Sequence, residues 1–343
     1  MDATLVVLVV LAGLAYAWMN GMHDAANAVA ASLSTGALTP RTALPMSAVL
    51  NLVGALMGVQ LAQVFGTHLA TVPVHRPGPA LILTALLTAL AWNTLTWWFG
   101  LPSSSSHALI GSLAGAGFAL GDRVDWHLLA VWLALPLVLS PVLGFIGAWL
   151  VMAILLRLLR DAAHERAIRG FRMAQSVTAA TMSLGHGLQD GQKTMGVIML
   201  ALGAGVGLGS DQLWVTSTDP SPLGLSAWVQ LAVGVSLALG TLAGGWRIIR
   251  TLSRRIVRMT PATGFAAESV ASSVLYASAA LVGVPVSSTH TVTAAIIGAG
   301  STAGLRAIRW GTVRQILIAW LLTPVVTFLL AAAVALVLSR IGR

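Results

Sequence analysis

Long apolar stretches, separated by short polar segments, run along this chain from Ala3 to Leu338. None alternates apolar and polar positions as a half-buried strand does, and most can cross ~30 Å of hydrocarbon at ~1.5 Å per residue. The pattern predicts an all-α polytopic membrane protein with about ten spans. They fall at 3–36, 42–65, 79–99, 103–120 and 128–156, then at 173–208, 226–245, 262–282, 286–304 and 312–339. The stretches 3–36 and 173–208 are too long for one straight crossing. Each carries polar residues in its middle, near 20–27 and 185–192, so both are expected to be broken helices.

The first of these polar interruptions reads G-M-H-D-A-A-N-A-V-A, Gly21 to Ala30. It places the carboxylate of Asp24 at membrane depth, at a cost of about 2.5–3.5 kcal/mol on insertion scales, which by default marks a functional site. The second, Gly185 to Gly196, reads G-H-G-L-Q-D-G-Q-K-T-M-G and returns to the same theme in looser form.

Composition agrees with the pattern: 57% of residues are apolar and 8% charged, against roughly 25% charged in a soluble domain. Cysteine is absent, which excludes disulfides, thiolate metal sites and a thiol nucleophile. The net charge of +9 encodes topology and not nucleic-acid binding, because the arginines gather in 157–172, 246–261 and 305–314. Loops around Asp122 and Asp211 are acidic or nearly neutral. The positive-inside rule therefore puts the arginine loops in the cytoplasm and both termini outside, with Arg340 and Arg343 running against that placement. The start Met-Asp-Ala-Thr lacks a basic signal-peptide region, so the first apolar run is expected to be retained. The twelve tryptophans are expected at the membrane interfaces.

Five spans per half is an odd number, so the second half should enter the membrane upside down relative to the first, an inverted-topology repeat of about 5+5 spans. The expected division is a first repeat over 1–156, a basic cytoplasmic linker over 157–172 and a second repeat over 173–343. Gly100 to His107, G-L-P-S-S-S-S-H, and Gly283 to His290, G-V-P-V-S-S-T-H, share their spacing and predict Pro/Ser-containing hairpin loops at corresponding places. Gly111, Gly115, Gly300 and Gly304 are expected on small-residue packing faces.

Of 19 basic and 10 acidic residues, only Asp24, Asp190, Lys193 and Glu268 fall inside the apolar spans. Four of the eight histidines, His23, His107, His186 and His290, fall in the repeated motifs. Pro102 and Pro285 suit helix starts, and the following serines add hydroxyls beside helix N-termini, where N–H groups and the dipole favour an anion. Unwound backbone at the breaks would offer carbonyls to cations. Asp24 and Asp190 cannot bind an anion directly; they would hold cations that bridge to it. Ionised, the four intramembrane charges sum to two negatives, and a bound oxyanion deepens that in a low dielectric. Protons or metal cations must enter with it, which predicts a symporter.

The four motifs together resemble the signature elements of the inorganic phosphate transporter (PiT) family, in the family's order and over nearly the whole chain. The resemblance implies transport of inorganic phosphate across the cytoplasmic (inner) membrane with H⁺, with Na⁺, or as a neutral divalent metal–phosphate complex. No cofactor is implied beyond the cotransported cation. By position it implies phosphate-binding roles for Ser104, Ser105, Ser106, Ser287, Ser288, Thr289 and Gln192. It assigns cation or proton coupling to Asp24, Asn27, His23, Asp190, Gln189 and Glu268, with Asp24 and Asp190 as metal ligands. His23-Asp24 is similar to bacterial proton-coupled members, and Gln189 stands where the family usually has Asn. The expected partners are phosphate, a coupling cation and the lipid bilayer, with a homodimer left open and no nucleic acid.

Duller readings stand beside each of these. The two aspartates could cap helix ends at kinks, Lys193 could simply pair with Asp190 three residues away, and Glu268 could be interfacial. The serines could be helix–helix glue. Two other functions stay open: a sulfate or other oxyanion permease on the same fold, and an intramembrane hydrolase built on Ser103 and His107, which would share a helix face but lack a nucleophile elbow.

Overall fold

The computed structural model describes residues 3–57, 78–122, 124–161, 163–206, 227–278 and 286–341, and no strand runs among them. Among the described residues, eleven longer helices carry the fold. In the first half of the chain they are α1 (Ala3–Thr35), α2 (Pro40–Met57), α3 (Pro79–Phe99), α4 (Ser105–Ala119) and α5 (Leu135–Leu158). In the second they are α6 (His164–His186), α7 (Gln192–Val206), α8 (Ala227–Ala243), α9 (Pro261–Ala277), α10 (Ser288–Ser301) and α11 (Trp310–Ile341). The far end of the expected span 42–65, Gly283–Pro285 and the loop around Asp211 lie outside the described residues.

Both expected helix breaks are corrected. α1 is one uninterrupted helix of 33 residues through Asp24. α6 and α7 are joined by a single π-helical turn, Gly187–Gly191, which admits one extra residue without unwinding the axis. Neither stretch contains proline, and the polar side chains find partners on neighbouring helices, so the backbone ladder need not open.

α1, α3, α5 and α11 are each long and apolar enough to cross a membrane, and α8 with Trp246–Arg255, bent by 52°, makes up to a fifth. α4 and α10, at 15 and 14 residues, are shorter than that: at ~1.5 Å per residue they reach roughly 22 Å of a ~30 Å core. The expected spans 103–120 and 286–304 are thus short helices that begin deep inside the protein.

Small residues bring the helices together. α5 buries Pro136, Ser140, Gly144, Ala148 and Met152 at every fourth position and exposes Leu139, Leu143, Leu150 and Ile154. Small inside and large outside is the reverse of a soluble helix and suits a lipid-facing one. Gly144 rests on the Thr291 backbone of α10, and Gly111 and Gly115 rest on α11. Gly304 instead sits at a positive φ of 104° with open space around it, a turn and not a packing face. α10 packs chiefly on α5, α4 on α11 and α1 on α8. Along the last seam Gly21 meets the Leu237 carbonyl and Gly240 the Trp18 carbonyl, so a Cβ at either would collide with backbone.

Candidate substrate and cation site

The N-termini of α4 and α10 both start at buried serines. Ser104 caps α4 by accepting the His107 N–H at 3.3 Å, and Ser287 caps α10 by accepting the His290 N–H at 3.3 Å. Capping occupies these two hydroxyls. The next two N–H groups of each helix have no intrahelical partner, and of the next two side chains on each, Ser105, Ser288 and Thr289 turn to the acids and Ser106 to Lys193. Ser105 Oγ donates to Asn20 Oδ1 at 2.7 Å and approaches Asp24 Oδ2 at 3.3 Å. Thr289 Oγ1 donates to Asp24 Oδ1 at 3.0 Å, and Ser288 Oγ lies 3.5 Å from Asp190 Oδ2. Ser106 Oγ accepts from Lys193 Nζ at 2.7 Å.

Asp24 and Asp190 meet across one imidazole. His186 Nε2 lies 2.9 Å from Asp190 Oδ2 and 3.6 Å from Asp24 Oδ2. Its other nitrogen, Nδ1, is 3.1 Å from Asn51 Oδ1. Asn51 spends its Nδ2 on Thr241 Oγ1 at 2.8 Å, so it offers only an acceptor to the ring. With the amide in this orientation Nδ1 faces an acceptor, and Nε2 faces the two carboxylates. One atom each from Asp24, His186 and Asp190 fall within 4.8 Å of one another, a set of nitrogen and oxygen ligands that fits a cation. Lys193 Nζ donates to Asp190 Oδ1 at 2.5 Å. Asn27 Nδ2 donates to Asp24 Oδ1 at 2.9 Å and to Thr289 Oγ1 at 3.0 Å. All of these residues are buried.

The remaining expected site residues lie around or away from this cluster. His23 Nδ1 is 3.5 Å from Asp24 Oδ1, and its Nε2 faces Thr96 and Ser103. Gln189 turns its Nε2 to the Leu275 carbonyl at 2.6 Å and to Ser278, leaving Oε1 buried without a donor among the described residues. Gln192 Nε2 reaches the Ala55 carbonyl on α2 at 3.2 Å. Glu268 is buried elsewhere, between α1 and α6. Its Oε1 accepts the Ser32 N–H at 3.2 Å and its Oε2 the Thr178 hydroxyl at 2.8 Å. It does not share the aspartate pocket, so the two carboxylates and one ammonium there sum to one negative and not two. Ser103 Oγ donates to Thr96 at 2.8 Å, and the His107 ring packs on His290 at 4.9 Å. The pair imagined for a hydrolase is therefore not formed. Trp320 is buried and stacks on His290 at 3.9 Å, an exception to the interfacial placement.

The sequence marks His186 as one of the four motif histidines without assigning it a role, and it gives no place in the site to Asn51. The four-residue interval from His186 to Asp190 was a readable signal for the first. Nothing local marked Asn51.

The model of the Phosphate transporter family matches residues 20–331. The chain belongs to this family. It is 35% identical to a probable low-affinity inorganic phosphate transporter of Bacillus subtilis, with 98% of each chain covered. A protein of the same description from Rhizobium meliloti is 39% identical, with 97% of each covered. Among solved structures, a sodium-dependent phosphate transporter superposes with a TM-score of 0.80 at 22% identity, covering 98% of this chain and 100% of that one. That likeness shows a shared fold. Membership places the chain among multi-pass membrane transporters and not among enzymes.

Proposed function

We propose that this protein carries inorganic phosphate across the cytoplasmic membrane as a cation-coupled symporter, with Asp24, His186 and Asp190 holding the cation side of the site. The observation that carries the reading is the junction of the two aspartates at His186, directly beside the N-termini of α4 and α10. Ser105, Ser106, Ser288 and Thr289 and the free N–H groups of those helix starts supply anion donors without an arginine. Two carboxylates and one ammonium leave a negative charge, and phosphate adds one or two more. Such a pocket fills in low dielectric only if a cation enters too. Family membership and the names of the relatives favour phosphate as the anion. H⁺, Na⁺ and a divalent metal that travels with phosphate all fit a set of carboxylate oxygens and an imidazole nitrogen.

The architecture behind this reading is a pair of inverted repeats, 1–156 and 173–343, and the basic segment 157–172 expected to link them is mostly wound into the end of α5 and the first turns of α6, leaving 159–163 as the connection. Three features support the repeats. The motifs at 100–107 and 283–290 share their spacing, α4 rests on α11 as α10 rests on α5, and both short helices are capped by the same serine device.

The test is uptake of labelled phosphate by the purified protein in proteoliposomes, with Na⁺, pH and Mg²⁺ gradients imposed one at a time and unlabelled sulfate as competitor. Uptake driven by one of these gradients and resistant to sulfate is expected. Uptake unaffected by any gradient sinks the symport reading, and sulfate uptake at the phosphate rate sinks the substrate assignment.

A further inference from the structure

The two aspartates are held by matching groups from matching places in the chain. Asp24 accepts from Asn27, three residues along its own helix, and Asp190 accepts from Lys193, three residues along its own. Asn27 also donates to Thr289, and Lys193 also donates to Ser106. Thr289 and Ser106 each stand two residues after a capping serine, Ser287 or Ser104. Ser105 approaches Asp24 and Ser288 approaches Asp190, each from the residue after the cap. One member of each set differs in charge: an amide in the first, an ammonium in the second.

That difference decides what each set can still bind. Asn27 spends its Nδ2 on Asp24 and Thr289 and keeps a buried Oδ1 with no donor among the described residues. A carboxylate with a spare amide oxygen is a set of hard ligands for a small cation. Lys193 has no acceptor to offer, and its own charge sits on Asp190.

We propose that Lys193 is a resident cation, tethered where a second mobile cation would otherwise be needed, so that only the Asp24 side takes an exchangeable one. This rests on the cation-coupled reading above and specifies its stoichiometry. The arithmetic is direct. Two bare carboxylates and a phosphate would need a larger complement of mobile positive charge, and the lysine supplies one unit of it in every cycle without being transported.

The decisive variant is Lys193→Asn, which gives the second set the composition of the first. The coupling cation is first identified in wild type by single gradients. Unfolding temperature is then titrated with that cation in the absence of phosphate, and phosphate uptake is measured against its concentration. Lys193→Asn is expected to bind one more cation, to show uptake one power steeper in cation concentration, and to regain uptake when the cation is raised. Asn27→Lys, the reverse exchange, is expected to lose the cation dependence of both stability and binding, and decides the matter if Lys193→Asn does not fold. A folded Lys193→Asn protein with wild-type cation dependence, or one altered only in its KM for phosphate, overturns the proposal, because the lysine then serves the anion. So does an uptake defect that no cation concentration repairs. A wild type that takes up no phosphate refutes the transport reading instead, while the phosphate-free titration still judges the resident cation.

Discussion

Glu268 holds the backbone N–H of Ser32, reaching from α9 into the side of α1 at 3.2 Å. With Thr178 on its other oxygen, this carboxylate ties three helices together away from Asp24. Its truncation leaves buried donors unsatisfied, at about 1–3 kcal/mol. Glu268→Ala should lower the unfolding temperature in detergent, whereas Glu268→Gln keeps an acceptor for Ser32 and should change it little. Because neither residue touches the aspartate pair, phosphate binding by Glu268→Gln should stay within a few-fold of wild type. A loss of binding as deep as that of Asp24→Asn would place Glu268 in the substrate pocket after all.

Asp24→Asn and Asp190→Asn should both abolish phosphate accumulation, yet differ in stability. The first keeps its amide and hydroxyl partners. The second strands the Lys193 ammonium in a dry site, which costs about 3–5 kcal/mol. Thermal unfolding should therefore rank Asp190→Asn well below Asp24→Asn, and the double variant Asp190→Asn with Lys193→Met should recover stability without recovering uptake. Equal stability of the two single variants would mean that Lys193 has another counter-charge.

The serines separate into two kinds. Ser104→Ala removes a helix cap and should cost about 0.5–2 kcal/mol of stability. Ser105→Ala spares the cap and removes a hydroxyl from Asp24 and Asn20, so its effect should appear in the KM for phosphate. The comparison of KM with unfolding temperature for the two variants checks this, and identical profiles would contradict the division.

The seam between α1 and α8 admits no side chain at Gly21 or Gly240. Gly21→Val should cost at least ~1–3 kcal/mol by overpacking and reduce the amount of folded protein recovered by size-exclusion chromatography. Normal recovery would show that the two helices can part.

Much of this was legible in the chain because a membrane makes buried charge conspicuous. Asp24 and Asp190 stand out against apolar neighbours, and the two proline–serine motifs announce nearby helix starts, which the structure places at the capping serines Ser104 and Ser287 and, in the first motif, two residues past Pro102 and not at the proline itself. What the sequence hid was long-range satisfaction. The unbroken course of α1 depends on Thr289 and Ser105 arriving from distant segments to solvate Asp24. The position of Glu268 depends on Thr178 and Ser32, which no periodicity links to it. Asn51 orients the His186 ring from another helix, and an isolated Asn in an apolar run carries no sign of that duty.

The π turn at Gly187–Gly191 makes chain length a part of the chemistry. Loss of Leu188, for example, would restore ordinary helical winding, and α7 would keep its facing because the wide turn had already absorbed the surplus residue. The Lys193 ammonium would stay by the Ser106 hydroxyl, but His186 and Asp190 would stand three residues apart instead of four. Substitutions within this turn alter a group; a one-residue deletion would alter the spacing of two groups left chemically intact, so insertions and deletions should be tolerated far less here than in the linker between α5 and α6.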